Sequence, residues 1–514
     1  MLTKVYSASI QGIDAFPVTI ETDGGAGSLF MIVGLPDTAV KESHQRIVSA
    51  ISHSGVKFPH KGTTINLAPA DIKKEGAAFD LPMAIGVLSA HGLVPPDHLA
   101  DYMIMGELSL DGSVLPVKGA LPMAVKAREL GFKRLIVPEE NVTEAAVVNK
   151  IEVFGVKTLS EALALISDAS DLQPVKINTR ELFAAGAESF DFDFSEVKGQ
   201  DSVKRAFEVA CAGGHNLLMI GPPGAGKSMM AKRIPSILPP LSLGEALETT
   251  KIHSVAGKLS RGSMLMTSRP FRTPHHTVSP VALVGGGTNP MPGEISLAHN
   301  GVLFLDEFPE FPRQVLEVLR QPIEDRVITV ARAKYTVNYP ASFMLVASMN
   351  PCPCGYYGHP TKQCTCAPGA VNKYMNRISG PLLDRIDIQV EIQPVSFDDM
   401  ANKAPAESSA EIRKRVIAAR SIQQLHFQGE KGIYCNAQMN SRLLHKYAWP
   451  DEEGLAKLKD RMTKLNMSAR AFDRILRVAR TIADLDNSEN VLSRHIAEAI
   501  GYRSLDRANY GSTF

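Results

Sequence analysis

Long apolar runs are missing from this sequence: none approaches the ~18 residues that a membrane-spanning helix needs. The amino terminus also lacks the charged start and the continuous apolar segment of a secretory signal. Repeats of about 20 to 50 residues and low-complexity tracts are absent as well. These absences exclude a membrane span and a repeat array, and they predict a cytoplasmic protein without a membrane partner.

Net charge is also nearly absent, because 55 lysine and arginine residues oppose 54 aspartate and glutamate residues, for a formal net charge of +1. A nucleic-acid partner would therefore have to be held by a local positive field. The 44% hydrophobic and 21% charged residues are typical of a globular protein. With 514 residues, the chain exceeds what one hydrophobic core usually organises, which suggests roughly three units.

Strand-like and helix-like segments alternate along most of the chain, which predicts an α/β fold. Residues 1–170 form a first α/β domain in this interpretation, and the acidic, poorly periodic residues 171–194 form a linker. Residues 195–395 alternate again and predict a parallel sheet. Amphipathic helices dominate residues 396–514, which predict a small helical domain.

A glycine-rich loop that follows the apolar run 217–220 is the most specific motif in the sequence. It consists of Gly221, Pro222, Pro223, Gly224, Ala225, Gly226, Lys227 and Ser228. In a strand-loop-helix context, such a loop closes its backbone N–H groups around phosphate oxygens. Lys227 is expected to contact the β- and γ-phosphates, and Ser228 to offer a hydroxyl to Mg²⁺. The loop therefore predicts ATP binding.

Two further strands end in polar residues that suit phosphate chemistry. The apolar run 301–305 is followed by Asp306 and Glu307. We expect Asp306 to hold Mg²⁺ and Glu307 to act as the general base for the attacking water. Asn350 follows the run 343–349 and could contact the γ-phosphate or the attacking water. Solvated acids at an ordinary strand end are the alternative, and the glycine-rich loop weighs against it.

The order of these motifs, followed by residues 382–387 and 468–470, resembles that of an AAA+ ATPase. The stretches 273–287, 296–307 and 348–355 are similar to the Mg-chelatase-like ComM/YifB family. This resemblance extends along the whole chain. It implies an AAA+ core with a parallel sheet and P-loop, a Lon-protease-like α/β amino-terminal domain and a small helical carboxy-terminal lid.

The same resemblance implies an activity. The family is expected to form a homo-hexamer that hydrolyses ATP and drives branch migration of recombination intermediates, so that incoming DNA is integrated in natural transformation. Single-stranded and branched DNA would be partners, with recombination proteins as further candidates. By this resemblance Arg385 would be the arginine finger and Arg470 the second sensor, although Arg377 and Arg474 compete with them and surface salt bridges are the alternative.

Two basic segments are candidates for DNA contact. No carboxylate occurs between Glu248 and Glu294, and we interpret this stretch as a loop-rich insertion of the ATPase core. Its cations are Lys251, Lys258, Arg261, Arg269 and Arg272. Residues 326–338 predict a β-hairpin whose tip carries Arg332 and Lys334. Lys258, Arg261, Arg332 and Lys334 are the expected phosphate contacts, and solvated basic loops are the alternative.

Cysteine is scarce outside one segment: of the six, Cys211 and Cys435 stand alone. The other four form two close pairs, namely Cys352 with Cys354 and Cys364 with Cys366. Four thiolates are enough for a tetrahedral structural Zn²⁺ site. Each pair encloses one residue rather than the commoner two to four, so His359 could replace a thiolate, or the thiols could be free of metal.

The Lon-like domain lacks the residues that a Ser-Lys dyad requires. Ala78 stands where the Lon pattern has its serine, and Leu121 stands where it has its lysine. Lys118 is only three residues from Leu121, but a lysine without the serine cannot assemble an activated nucleophile. The domain is therefore expected to support ring assembly or DNA contact rather than proteolysis. Two other functions fit the ATPase motifs: a magnesium-chelatase motor subunit, and an ATP-gated scaffold without helicase activity.

Overall fold

The computed structural model of the chain describes residues 1–59, 61–179, 181, 190–259, 264–287, 290–332, 335–395, 406–430, 432–465, 467–503 and 505. The chain divides into two compact units. The first contains Met1–Ala187 and Ser242–Thr267, and the second contains Glu188–Leu241 and Ser268–Phe514. The polypeptide therefore passes between the units three times.

The strands are numbered in chain order. They are β1 (Leu2–Gln11), β2 (Asp14–Gly25), β3 (Phe30–Val33), β4 (Gly62–Ala68), β5 (Tyr102–Ile104), β6 (Glu107–Leu108), β7 (Val114–Leu115), β8 (Arg134–Pro138), β9 (Glu152–Val156), β10 (Leu217–Ile220), β11 (Phe271–Arg272), β12 (Gly285–Gly286), β13 (Met291–Pro292), β14 (Val302–Leu305), β15 (Val327–Arg332), β16 (Tyr335–Pro340), β17 (Met344–Met349) and β18 (Ile388–Glu391).

The helices are numbered in the same way. They are α1 (Thr38–His53), α2 (Asp80–Ala90), α3 (Ala120–Glu129), α4 (Val142–Ala145), α5 (Leu159–Ile166), α6 (Asp201–Gly213), α7 (Lys227–Ala231), α8 (Ile234–Ile237), α9 (Leu243–Val255), α10 (Pro280–Val284), α11 (Glu294–Leu297), α12 (Arg313–Val318), α13 (Arg320–Asp325), α14 (Ala370–Met375), α15 (Gly380–Leu383), α16 (Ser409–His426), α17 (Ser441–Tyr447), α18 (Glu452–Leu465), α19 (Ala469–Leu485) and α20 (Ser493–Gly501). Among the described residues, no helix is long and apolar enough to cross a membrane.

A seven-stranded mixed sheet in the order β3-β4-β2-β1-β5-β8-β9 organises the first unit. β2 is antiparallel to β1 and to β4, and the remaining neighbours are parallel. Successive side chains of a strand point to opposite faces. On β8, Ile136 belongs to one apolar cluster while Leu135 and Val137 belong to another. The two clusters therefore cover opposite faces of the sheet.

Helix α9 lies in the first unit although the sequence around it belongs to the ATPase core. Ser242 caps the helix in a capping box with Glu245. Leu247 packs against the apolar cluster that contains Leu121, and the Ser254 hydroxyl donates a hydrogen bond to the buried Glu144 carboxylate. The sequence analysis interpreted this part of the basic segment as a loop-rich insertion of the ATPase core. The structure shows instead a helix that belongs to the first unit.

A five-stranded parallel sheet in the order β11-β14-β17-β10-β18 organises the second unit. Leu217 of β10 lies opposite Val346 of β17 and Ile388 of β18. All five strands run the same way, so the loops after β10, β14 and β17 meet at one edge of the sheet. Residues 221–226, Asp306–Glu307 and Asn350 occupy these loops, and Lys227 and Ser228 begin the helix that follows the first of them.

The carboxy-terminal helices of the second unit share the core of the sheet. One apolar cluster joins Leu217 of β10 and Phe207 of α6 to Val416 of α16 and Ile475 of α19. These helices also pack on one another, α18 and α19 against α20 and α16 against α19, while α16 and α19 contact α6. The predicted small helical region is therefore present, and its inner face lies against α6.

The second unit also contains two β-hairpins. β12 pairs with β13, and β15 pairs with β16, both antiparallel. The hydroxyl of Tyr339, on β16, donates a hydrogen bond of 2.6 Å to the Pro290 carbonyl beside β13. The two hairpins are therefore joined at their sides.

Candidate nucleotide site and its surroundings

The glycine-rich loop adopts the strand-loop-helix form that the sequence predicted. β10 ends at Ile220, and α7 begins at Lys227. Gly224 and Gly226 have φ angles of 80° and 86°, a region that side chains disfavour, so glycine is required for the turn. The loop ends at a helix amino terminus, where N–H groups have no partner within the helix and favour an anion.

The Lys227 ammonium group is held within the loop. It donates hydrogen bonds to the carbonyls of Gly221 (2.7 Å) and Pro222 (3.0 Å) and to Oδ1 of Asn350 (3.0 Å). Burial lowers the pKa of Lys227, and the nearby Asp306 carboxylate acts in the opposite direction. The structure therefore brings Lys227 and Asn350 together, as their predicted shared contact with phosphate requires.

Oxygen atoms suited to Mg²⁺ converge on Asp306. The Ser228 hydroxyl donates to Oδ2 at 2.5 Å, and the Ser348 hydroxyl donates to Oδ1 of the same carboxylate. Hydroxyl and carboxylate oxygens are the hard ligands that Mg²⁺ prefers. The residues present therefore fit the predicted ion, with Ser228 and Asp306 as its holders.

Ser348 was missed by the sequence analysis. It is fully buried on β17, next to the end of β14, so its hydroxyl fixes the orientation of the Asp306 carboxylate. The available signal was its position in an otherwise apolar strand, two residues before Asn350.

The second acid, Glu307, lies at the same edge but in a different environment. Its backbone is left-handed, with φ of 53°, and its side chain is 60% exposed. Oε2 of Glu307 lies 3.3 Å from Nδ1 of His276, a residue to which the sequence analysis gave no role at the nucleotide. The predicted general base thus has an imidazole partner.

The two predicted arginines lie at the other edge of the sheet. Arg385 precedes β18, and its backbone carbonyl accepts a hydrogen bond from Asn216, which precedes β10. A cavity of about 390 Å³ lies at this amino-terminal edge, and Arg470 lines it together with Asn216. β10 separates this edge from the P-loop by four residues, or about 13 Å. Arg470 therefore does not reach the P-loop of its own chain, and its role as the second sensor stays a prediction.

Arg385 is also engaged within the chain. Its side chain is 7% exposed, and Nη2 forms a 2.7 Å ion pair with Glu324. Its competitor Arg474 is buried and forms a 2.6 Å ion pair with Asp387. Arg377 is 51% exposed and contacts Glu310 at 2.8 Å. An arginine-finger role for Arg385 stays a prediction, and it would require the pair with Glu324 to open.

The same cavity is rich in arginine. Its cationic lining residues are Arg326, Arg470, Arg474 and Arg477. Burial lowers the pKa of Arg326 and of Arg477, because the guanidinium charge is poorly solvated there. Three carboxylates, Glu324, Asp387 and Asp473, line the same cavity and balance most of this charge.

The four clustered cysteines converge as the sequence predicted. The sulfur atoms of Cys352, Cys354, Cys364 and Cys366 lie within 4.8 Å of one another. Sγ of Cys352 is 3.3 Å from that of Cys354 and 3.8 Å from that of Cys364. Four sulfurs bound to Zn²⁺ at about 2.3 Å in a tetrahedron are about 3.8 Å apart. The cluster therefore fits a zinc ion.

His359 is not part of this cluster. Its Nδ1 accepts hydrogen bonds from the backbone N–H groups of Thr361 (3.1 Å) and Lys362 (3.0 Å). The imidazole thus stabilises the turn between the cysteine pairs. Four thiols, rather than three thiols and an imidazole, make up the candidate ligand set.

The predicted DNA contacts are only partly described by the structure. Lys258 is exposed and belongs to the first unit. Arg332 ends β15 of the predicted hairpin, whereas Arg261 and Lys334 lie outside the described residues. Of the other cations, Lys251 pairs with Asp14 at 3.3 Å, and Arg272 forms a bidentate pair with Glu294 at 2.7 and 2.8 Å. Arg269 donates to the carbonyls of Pro239, Pro240 and Asn300, so its guanidinium is used inside the second unit.

Leu121, which stands where the Lon pattern has its lysine, is buried within the first unit. Leu121 is fully buried, and its N–H donates to Oε1 of Glu144 at 2.8 Å. Gly257 lies against Lys118, since a Cβ atom added to it would be 2.8 Å from Cε of the lysine. The segment after α9 therefore packs against Lys118, the lysine nearest in sequence to the dyad position.

The parallel five-stranded sheet and the site at its carboxyl edge are those of an AAA+ protein of the magnesium-chelatase type. Residues 193–400 match the sequence profile described as magnesium chelatase, subunit ChlI. Residues 18–141 match that of subunit ChlI of Mg-chelatase, and residues 406–503 match magnesium chelatase, subunit ChlI C-terminal.

Full-length relatives narrow this class. The chain is 42% identical over 511 residues to protein YifB of Salmonella typhimurium, with 98% of both chains covered. It is 40% identical over 511 residues to competence protein ComM of Haemophilus influenzae, again with 98% of both covered. Lon protease 2 of Bacillus subtilis is 30% identical over 142 residues, which are 27% of this chain and 25% of that protein. The chain belongs to the ComM/YifB family of Mg-chelatase-like AAA+ proteins.

Proposed function

We propose that the protein is an ATP-driven hexameric DNA motor that promotes branch migration of recombination intermediates. Similarity to a competence protein over nearly the whole chain supports a role in the integration of incoming DNA. The observation that carries the proposal is the constellation at the sheet edge, where Lys227 contacts Asn350 and Ser228 contacts Asp306. Such a site suits the turnover of ATP.

The chemistry assigned to each residue follows from its position. Lys227 and the loop N–H groups bind the phosphates, and Ser228 and Asp306 would hold Mg²⁺, which would neutralise charge on the phosphate oxygens when bound. Glu307 accepts a proton from the attacking water, and Asn350 orients that water or the γ-phosphate. A permanent clamp has little use for this base, which favours hydrolysis over storage.

A ring is supported by the distribution of arginines. Arg385 and Arg470 lie at the amino-terminal edge of the sheet, at the opposite end of the strands from the P-loop. Once Arg385 leaves Glu324, a guanidinium at this edge would act on the nucleotide of a neighbouring protomer, where it would stabilise charge on the transferring phosphoryl group. This arrangement is what a closed ring of identical subunits supplies at every interface.

DNA contact is supported by the paired hairpins. The β15–β16 hairpin carries Arg332 at the end of its first strand, and Tyr339 joins it to the β12–β13 hairpin. Cations on such tips would bind phosphate without reading the sequence. Lys258, Arg261 and Lys334 remain candidates for the same contact.

The test is a branch-migration assay on labelled three- and four-stranded junctions, together with ATP turnover measured with and without DNA. Wild-type protein should dissolve the junctions and hydrolyse ATP faster with DNA. Lys227→Ala should lose nucleotide binding, and Glu307→Gln should bind ATP but turn it over at least about 100-fold more slowly. If none of the three proteins dissolves the junctions, and DNA does not change the rate of ATP hydrolysis, the proposed motor activity is refuted.

A magnesium-chelatase motor subunit is the second candidate, favoured by the names of the three matched profiles. Such a subunit would hydrolyse ATP to drive a partner that inserts Mg²⁺ into a tetrapyrrole. The four-cysteine cluster and the Lon-like similarity fit it less well. ATP turnover that ignores DNA would favour this candidate.

A further inference from the structure

Helices α3 and α9 pack against each other in the first unit. At the end of α3, Lys126 holds the pKa of Glu129 below its usual range by a hydrogen bond, and the charge of Lys251 on α9 acts in the same direction. Gly257, just after α9, lies instead against Lys118, just before α3. The helices therefore run in opposite directions, and their outer faces form one surface. The cations of this α3–α9 surface are Lys118, Lys126, Arg128, Lys251 and Lys258.

Two of these cations are balanced by carboxylates. Lys126 pairs with Glu129 at 2.7 Å, and Lys251 pairs with Asp14 at 3.3 Å. The remaining cations are exposed, and none of them forms an ion pair with a carboxylate of the described residues. They are Lys118, Arg128 and Lys258. The surface therefore carries an excess of positive charge.

Other acids nearby do not cancel this excess. Glu140 lies close to Lys118, because the neighbouring Asn141 side chain bonds the N–H and the carbonyl of Val117 at 2.8 and 2.9 Å. It offsets at most one of the charges. The acids of α9 lie in the first half of that helix, away from Lys258. Among the described residues, at least two positive charges therefore stay without a balancing carboxylate on this surface.

The backbone holds Lys258 in a fixed position. The Gly257 N–H donates to the Ser254 carbonyl at 3.0 Å, and the Lys258 N–H donates to the His253 carbonyl at 2.9 Å. With Gly257 at a φ angle of 63°, these bonds form a Schellman motif that ends α9. A Cβ atom on Gly257 would be 2.8 Å from Cε of Lys118, so the aliphatic chain of that lysine lies along the turn. Lys118 and Lys258 are therefore neighbours.

Stability of the fold does not account for this pair of lysines. The carboxyl end of α9 attracts cations, because a helix dipole leaves about half a negative charge there. Lys118, however, also stands at the amino end of α3, where the dipole leaves a similar positive charge that repels it. Two like charges side by side further raise the free energy of the folded chain unless an anion screens them. A bound anion would therefore stabilise this arrangement.

The spacing of the cations favours a chain of phosphates over a single one. Helix α3 has 10 residues and is about 15 Å long, with Lys118 and Lys258 at one end and Arg128 at the other. A single phosphate contacts only one of these ends. A nucleic-acid strand presents a phosphate about every 3.4 Å along its axis, so one strand reaches both ends.

We propose that the α3–α9 surface binds the phosphate backbone of a DNA strand through Lys118, Lys258 and Arg128. The inference rests on the proposed DNA motor and extends it, because it gives the first unit a DNA contact, one of the two roles that the sequence analysis left open. Such contacts carry no sequence information. The surface would therefore hold DNA of any sequence.

The test is the binding of a labelled single-stranded oligonucleotide to the full-length protein, measured by fluorescence anisotropy over a range of salt concentrations. Lys118→Met/Lys258→Met removes both charges and keeps the long side chains. The slope of the logarithm of the association constant against that of salt should fall in magnitude by about 1.4, since each lost phosphate contact removes about 0.7 for a single strand. The affinity should fall about tenfold. Arg128→Met should reduce the slope by about 0.7.

Lys4→Met/Lys73→Met is the matched control. It removes two charges of the same unit that are paired, with Glu21 at 3.3 Å and with Glu75 at 2.7 Å. This control should keep the slope of the wild type. Equal slopes in the control and in Lys118→Met/Lys258→Met would overturn the inference. A lower midpoint of thermal unfolding in Lys118→Met/Lys258→Met with unchanged DNA binding would also overturn it, because the lysines would then serve stability alone.

Anionic vesicles of phosphatidylserine and phosphatidylcholine are the second probe, because a membrane surface also presents many phosphates. Wild-type protein should not sediment with them. Sedimentation that Lys118→Met/Lys258→Met abolishes, with DNA binding unchanged, would assign the surface to a membrane and overturn the inference.

Failure of this inference and failure of the proposed function are distinguishable. If wild-type protein dissolves junctions and Lys118→Met/Lys258→Met binds DNA with the wild-type slope, the motor stands and the contact is refuted. If that variant loses affinity for DNA but wild-type protein dissolves no junction, the contact stands and the motor is refuted. Wild-type protein that binds no DNA refutes both.

Discussion

Gly355 of the cysteine loop lies directly against Pro223 of the P-loop. A Cβ atom added to Gly355 would be 2.6 Å from Cδ of Pro223, and Gly355 has a φ angle of 85°. The same loop begins at Asn350, whose amide oxygen accepts from Lys227. The candidate zinc site and the nucleotide site are therefore mechanically linked, although their residues are far apart in sequence.

The first prediction concerns this contact. Gly355→Ala should weaken ATP binding about tenfold, because the new methyl group pushes Pro223 out of the P-loop, and equilibrium binding of a fluorescent ATP analogue measures the loss. Gly358→Ala is a matched control: it has a φ angle of 73° in the same loop, but nothing lies within 4 Å of its added Cβ atom. Equal affinities in the two variants would show that backbone strain, not the contact with Pro223, matters.

The second prediction concerns the metal. Protein purified without chelator should contain one zinc ion per chain by elemental analysis, and Cys364→Ser should lose it. Because the ion holds the loop that touches Pro223, its removal should also raise the KM for ATP. His359→Ala should retain the metal, since His359 lies outside the sulfur cluster. Zinc-free wild-type protein would refute this site.

The third prediction concerns the buried pair of Asp387 and Arg474. Burial alone would raise the pKa of Asp387, but Arg474 and His215 outweigh it and hold the pKa below its usual range. Asp387→Asn should reduce the free energy of unfolding at neutral pH by about 3–5 kcal/mol, because an uncompensated guanidinium remains buried. Chemical denaturation measures this loss.

The pH dependence of this pair follows from the direction of the shift. A depressed folded-state pKa gives stability that is present above the ordinary pKa of 3.8 and is lost only as the pH falls towards the folded value. The difference in stability between wild type and Asp387→Asn should therefore be constant from about pH 5 to 8. Asp460→Asn, which breaks a pair that is more than half exposed, should change stability by less than about 1 kcal/mol.

The fourth prediction concerns the attachment of α9 to the first unit. Burial raises the pKa of Glu144, while the Ser254 hydroxyl and the Leu121 N–H act against this rise. Ser254→Ala should destabilise the protein by about 1–3 kcal/mol, because it removes a donor from a buried carboxylate. Ser52→Ala, on the exposed face of α1, should change the free energy of unfolding by less than about 0.5 kcal/mol.

Glu144→Gln should show the opposite dependence on pH from Asp387→Asn. A raised folded-state pKa means that the folded chain binds the proton more tightly, so the wild type loses stability as the pH rises from 4.5 through the folded value. The neutral amide does not titrate, so Glu144→Gln should gain on the wild type over this range. A difference that stays flat would argue against a strained carboxylate.

Local patterns predicted much of the fold. The apolar runs 217–220 and 301–305 contain the strands β10 and β14, and the amphipathic carboxy-terminal segment is helical, from α16 to α20. These strands and helices bury one or both of their faces, so the spacing of their apolar residues reveals them in the sequence. The P-loop, Asp306 and Asn350 were found for the same reason, because each follows an apolar strand directly.

Contacts set by the tertiary fold were not predictable in this way. The position of Arg470 depends on the strand order, which no local pattern reveals. The pairing of His276 with Glu307 depends on β11, a strand of only two residues that leaves no periodic signal. The placement of α9 depends on packing against Leu121, whose own neighbours are distant in sequence.

The threefold crossing of the polypeptide between its units limits how the protein can be dissected. A chain that stops near residue 187 would be left without α9, so Glu144 would lose the Ser254 hydroxyl and the surface under Leu247 would face water. A single cut in the chain therefore cannot separate the two units intact. An isolated second unit requires a peptide that joins Leu241 to Ser268, and an isolated first unit requires residues 242–267 to be attached to it again.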